Sequence, residues 1–209
     1  MPVFRLPVLV FHLLAAMVAL SQSACSQTDV TIPKELNNIL LANPLMVEPF
    51  ELTTQHGSRF TAEDLKDHWT FLFFGYTHCP DICPTTLTEL TALAEHIPQD
   101  SRSQIVFVTV DPERDTVDHL KEYIAYFSEQ FVGLTGETGE VNNLTKQLNI
   151  KHAKEPAADN NYAVNHSSAV LLIDPNGRYV AKFSAPHYAE RILAAFEHVR
   201  QFMQTAPQL

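Results

Sequence analysis

Cysteine is scarce in this chain: 209 residues hold three, at positions 25, 79 and 83. One close pair beyond an N-terminal cysteine excludes a disulfide-stapled scaffold and leaves the pair for chemistry. Basic residues are also few, 14 Lys and Arg against 24 Asp and Glu, for a net charge of -10. Binding to nucleic acid phosphates needs clustered positive charge, so nucleic acid is excluded as a partner and a cation or a basic protein surface suits the chain better. Low-complexity tracts and internal repeats are absent. What is there is globular in composition, 45% hydrophobic and 10% aromatic. The length accommodates one domain with a real core plus an export segment.

The export segment is read at residues 1–25. Arg5 precedes an apolar run over 6–20, and the small residues Ser21, Ser23 and Ala24 precede Cys25, the layout of a secretory signal. The run is short for a spanning helix. Ser23-Ala24-Cys25 resembles a lipoprotein box, although Gln22 replaces its usual aliphatic residue. Lipidation at Cys25, ordinary cleavage nearby and an uncleaved anchor stay open, with processing favoured. All three put the remainder on the extracytoplasmic, periplasmic side, membrane-tethered in the first and last cases. Residues 26–46 are polar and unpatterned and are expected to be a tether, with the domain over 47–205.

Within that domain, 47–52 alternates as a strand does, His56-Gly57 marks a turn, and Thr61 with Asp64 starts a short helix. Residues 69–76 are apolar on both faces, as a central strand of a covered sheet requires. Leu87, Leu90, Leu93, Ala94 and Ile97 recur at helical spacing up to Pro98. A buried strand is expected over 104–110, a helix from Asp115 or Thr116 to about 127, a strand over 131–135 and a helix over 137–148. Residues 151–165 lack apolar periodicity and read as a long loop or inserted hairpin. A hairpin over 168–184, turning at Asp174-Pro175-Asn176-Gly177, and a last amphipathic helix from about 188 close the chain. The order βαβαβα then ββα describes a thioredoxin-like α/β sandwich, a central mixed sheet with flanking helices.

The run Cys79-Pro80-Asp81-Ile82-Cys83-Pro84 follows the 69–76 strand, at the sheet edge where such folds bind ligands. In a helix, an i,i+4 spacing puts both thiols on one face with Cα atoms about 6 Å apart, which suits either a disulfide or a shared ion. A helix N-terminus favours thiolate, the form that attacks disulfides and binds metals. His166, just before the 168–173 strand, is the candidate third ligand, since the loop entering that strand faces the cysteines in thioredoxin-like folds. Two thiolates and an imidazole suit copper as Cu(I) or Cu(II), one ion per chain. Zinc fits the donor types, but structural zinc usually takes four protein ligands. The competing reading is a thiol-disulfide oxidoreductase cycling Cys79 and Cys83. Three residues between the cysteines and His166-Ser167-Ser168 without a proline favour metal. His78 should diverge from its neighbour Cys79. Asp111 is either a partner ordering the thiol loop or a simple turn residue, and the Glu113, Asp115 and Asp118 cluster reads as an acidic helix start without chemistry. The remaining histidines, including His119 and His187, read as surface or helix-face residues.

These motifs form an ordered set: Phe50-Glu51-Leu52 through Gln55-His56-Gly57, Phe74-Gly75-Tyr76-Thr77-His78 leading into the cysteine run, Val110-Asp111-Pro112-Glu113-Arg114-Asp115-Thr116, and His166-Ser167-Ser168 before Leu172-Ile173-Asp174-Pro175-Asn176-Gly177. The set resembles the SCO/SenC family of copper chaperones for cytochrome c oxidase, from about residue 50 to the final helix. Thr54 departs from it, standing where relatives usually carry Asp. The resemblance implies copper held by Cys79, Cys83 and His166, delivery to the copper-receiving subunit of the oxidase, toward its binuclear copper centre, and thiol-based reduction of that target. Among its members are proteins with thiol-based redox roles, which would pair the chain with a thiol-disulfide reductant.

Overall fold

The computed structural model describes residues 32–156 and 162–205. The export signal and Cys25 lie outside the described residues. Ten strands and four α-helices follow in order: β1 Leu40–Met46, β2 Glu51–Thr54, β3 Arg59–Thr61, β4 Trp69–Gly75, α1 Ile82–His96, β5 Ser103–Thr109, α2 Val117–Phe127, β6 Val132–Thr135, α3 Thr138–Gln147, β7 His152–Lys154, β8 Val164–His166, β9 Val170–Ile173, β10 Arg178–Phe183 and α4 Ala189–Thr205. Eight strands form one sheet in the order β1-β10-β9-β4-β5-β6-β2-β3, and β7 pairs with β8 separately. Helical crossovers make β4, β5 and β6 parallel, and the remaining pairings are antiparallel, so the sheet is mixed. Among the described residues no helix is long and apolar enough to cross a membrane.

The sequence explains the centre of this sheet. Every residue of β4 is buried, because helices cover its faces. Phe73 lies opposite Phe107 of β5, Trp69 and Phe71 meet Phe196 of α4 edge-on, and Phe107 meets Tyr123 of α2. On α1 the buried residues Cys83, Leu87, Leu90 and Leu93 form one stripe at helical spacing, so the second cysteine belongs to the core-facing side of its helix. Gly133 of β6 lets α2 approach closely: a Cβ there would fall 2.7 Å from Ile124 Cγ1.

The fold extends further toward the N-terminus than residue 47. Within the stretch expected to be a tether, Leu36 is 1% exposed and β1 pairs antiparallel with β10, with Leu45 opposite Tyr179. The register of β1 shifts between Leu40 and Leu45, and Pro44 sits in it, both tolerated because β1 is an edge strand. The described residues of the 151–165 stretch include β7 and part of β8, which pair antiparallel and place His152 opposite His166.

Candidate metal centre

Cys79 and Cys83 occupy different structural settings. Cys79 lies in the turn after β4, its N–H donating to the Tyr76 carbonyl at 3.2 Å, and is partly exposed. Cys83 is the second residue of α1 and is wholly buried. The helix starts only at Ile82, so the i,i+4 helical geometry does not extend to Cys79, and Pro84 is accommodated because first-turn N–H groups have no partner within the helix. In place of a side-chain cap from Asp81, the Cys79 sulfur accepts from the Cys83 N–H at 3.5 Å. An anionic sulfur there complements the positive end of the helix dipole.

The thiols ionise unequally. A hydrogen bond from the Cys83 thiol, the largest influence, lowers Cys79 to about 4 against the opposing cost of burial, with His166 contributing in the same direction. Cys83 is driven upward, chiefly by giving that hydrogen bond and then by burial. The reduced pair is therefore one outer thiolate with one inner thiol, and a cation bound here would take the place of the inner proton.

His166 completes the group. The Ser167 carbonyl, 2.9 Å from Nδ1, orients the ring so that Nε2 faces Cys83 Sγ at 3.3 Å. Tyr76 and Phe73 meet the imidazole edge-on, at centroid distances of 5.8 and 6.3 Å. The three donor atoms lie within 4.8 Å of one another. All three residues singled out by sequence are brought together, and their donor set fits a soft to borderline ion such as copper. Gly75 makes room for it, because a Cβ there would sit 2.8 Å from both Cys83 Sγ and Phe107 Cε2.

Two aspartates build the frame. Asp111, fully buried, touches neither thiol. It accepts from Arg114 Nε and, at 2.7 Å, from the Tyr162 hydroxyl, while the Arg114 guanidinium lies 3.7 Å over the Tyr162 ring. Lys154 of β7 pairs with Glu113 at 2.7 Å, so the hairpin bearing His166 is fastened to the loop after β5. Asp115, read from sequence as part of an acidic helix start, is also fully buried. It accepts from Thr77 N at 3.0 Å, Thr77 Oγ1 at 2.6 Å and Thr109 Oγ1 at 2.6 Å, fixing the turn that presents Cys79. The signal available was position: both carboxylates lie in the turn that ends a buried strand. His78 diverges from Cys79, as expected, toward Asp115 and His119. His187, expected at the surface or on a helix face, is buried between Thr86 Oγ1 and the Phe183 carbonyl, each at 3.2 Å.

A mixed sheet with a cysteine pair where a parallel strand enters its helix, faced by a histidine at the end of β8, defines a thioredoxin-like protein with three donors that could hold a metal ion. The SCO1/SenC family model matches residues 40–201, and the chain belongs to that family. An SCO2-like protein of Rickettsia prowazekii is 40% identical over 153 residues, 72% of this chain and 75% of that protein. The crystal structure of Arabidopsis thaliana ScoI with copper bound superposes with a TM-score of 0.69 at 34% identity, covering 75% of this chain and 99% of that one. Yeast Sco1 with copper bound gives a TM-score of 0.71 at 31% identity, over 79% of this chain and 96% of that one.

Proposed function

We propose that the chain is a metallochaperone that binds one copper ion through Cys79, Cys83 and His166 and passes it to the copper-receiving subunit of cytochrome c oxidase. The carrying observation is the convergence of Cys79 Sγ, Cys83 Sγ and a His166 ring nitrogen within 4.8 Å, with His166 Nε2 3.3 Å from Cys83 Sγ. Copper-bound relatives with the same fold support the choice of ion. The oxidase as recipient rests on family membership. The reading includes an extracytoplasmic, membrane-tethered location, supported by Arg5, the apolar run after it and Cys25.

Copper titration of the reduced protein tests the proposal, read as metal per chain and as thiolate-to-copper charge-transfer absorption. One copper per reduced chain is expected, lost on oxidation and in Cys79→Ala. His166→Ala should weaken Cu(II) more than Cu(I), because the thiolate pair remains. A reduced protein that takes up no stoichiometric copper and instead rapidly reduces protein disulfides would make Cys79 and Cys83 the dithiol of an oxidoreductase.

A further inference from the structure

Next to the thiolate site, and sharing no donor with it, His78, Asp115 and His119 form a second convergent group. One donor atom from each lies within 4.8 Å of the others, and the two imidazole rings meet edge-on at 5.2 Å between centroids. His78 comes from the turn after β4 and His119 from the first turn of α2, so two backbone segments converge over one buried carboxylate.

The hydrogen bonding leaves that carboxylate one place to accept. A carboxylate offers about four acceptor positions. Asp115 Oδ2 takes two bonds, from Thr77 N and Thr109 Oγ1, and Oδ1 takes one, from Thr77 Oγ1. The position left belongs to Oδ1, the oxygen 3.9 Å from His78 Nδ1. Thr77 Oγ1 gives its single proton to Asp115 and lies 3.1 Å from His78 Nδ1. An ion that took that nitrogen would cost Thr77 only this contact and leave its bond to Asp115 intact.

We propose that His78, His119 and Asp115 form a second metal site, open to solvent, for a borderline divalent cation of the Cu(II) or Zn(II) class. Two imidazoles and a carboxylate match that class and not Cu(I), which the thiolates favour. Metal–ligand bonds of about 2.0–2.2 Å put tetrahedral donors about 3.3–3.5 Å apart. The present separations close to that by rotation of the two rings, which reach solvent, while Asp115 stays fixed. Three protein donors leave a position for water or an incoming ligand, the arrangement of an exchangeable site. The inference stands on these three residues and does not require copper at the thiolates.

The test titrates Zn(II) into the Cys79→Ser/Cys83→Ser chain by calorimetry and examines its Cu(II) form by electron paramagnetic resonance. One equivalent of Zn(II) is expected, with Cu(II) coupled to two imidazole nitrogens. Adding His119→Ala should weaken binding at least tenfold, whereas adding His166→Ala should leave it unchanged. A second arm uses the wild-type chain carrying one equivalent of Cu(I), which should take up one further Zn(II) that His119→Ala prevents. No stoichiometric Zn(II) in either arm, or binding that survives His119→Ala, would overturn the site. Failure of the wild-type chain to hold Cu(I), with Zn(II) still bound by the Cys79→Ser/Cys83→Ser chain, would strike the copper reading and leave this one standing.

Discussion

The Tyr162 hydroxyl donates to Asp111 Oδ1 at 2.7 Å, tying the hairpin that carries His166 to the loop that follows β5. The imidazole is therefore positioned by a contact outside the metal site. Supporting contacts of this kind are worth about 10–100-fold in metal affinity when removed. Tyr162→Phe keeps the ring under Arg114 and deletes only the hydroxyl, so Cu(II) affinity should fall by about tenfold, at the lower end of that range, with Cu(I) less affected. Competition against a calibrated chelator for each oxidation state checks this, and equal affinities in variant and wild type would remove the hairpin lock from the account.

The depressed Cys79 thiol sets a pH profile for reactivity. Its thiolate persists until pH falls through about 4, whereas an ordinary cysteine loses it near 8.5. Alkylation of reduced protein should modify Cys79 first, at a rate flat from neutral pH down to about 5 and falling below. Because the hydrogen bond from Cys83 is the largest cause of the depression, Cys83→Ala should move the midpoint upward. Stopped-flow alkylation with mass spectrometric site assignment decides it, and a wild-type midpoint near 8.5 would contradict the inner-thiol donor.

Gly75 offers a packing test of the site. Gly75→Ala puts a methyl 2.8 Å from Cys83 Sγ and from Phe107 Cε2, both in the core. Overpacking of this size costs about 1–3 kcal/mol. Denaturant unfolding should show that loss, and copper affinity should fall along with it because the displaced atom is a donor. A stability loss with unchanged copper binding would mean that Cys83 relaxes without leaving the site.

His187 gives the fold an acid-sensitive limb. Burial lowers its pKa, with a partly opposing contribution from the Phe183 carbonyl. A histidine held neutral in the fold contributes stability fully above its unfolded pKa of about 6.5, and the contribution drains away as pH drops below that value, where the unfolded chain takes up the proton. Unfolding free energy should therefore decline below about pH 6.5, and His187→Gln should flatten that part of the curve. Identical acid limbs in both proteins would exclude His187 as the cause.

The central fold and the ligand set were legible because each carries its own pattern. The continuous apolar run of β4 announces a covered strand, and Cys83 shares the helical stripe of Leu87 and Leu90. His166 was legible through the family motif, since a lone histidine before a strand carries no signal of its own. β1 escaped notice because an edge strand with a register shift and Pro44 buries little and alternates poorly. Asp115 was misread for a different reason. Acidic residues near a helix start are usually solvated, and nothing in its neighbours reveals that Thr77, 38 positions earlier, folds back to donate to it. His187 likewise owes its burial to Thr86 of α1, 101 positions away.

The contrast between a reachable Cys79 and an enclosed Cys83 gives the site a front and a back. Any visiting molecule, whether it brings a metal ion, removes one or presents a disulfide, meets the outer sulfur first and cannot approach the inner one directly. An ion held at this centre would therefore be met first at the outer sulfur, with the inner sulfur, backed by His166, as the donor farthest from solvent.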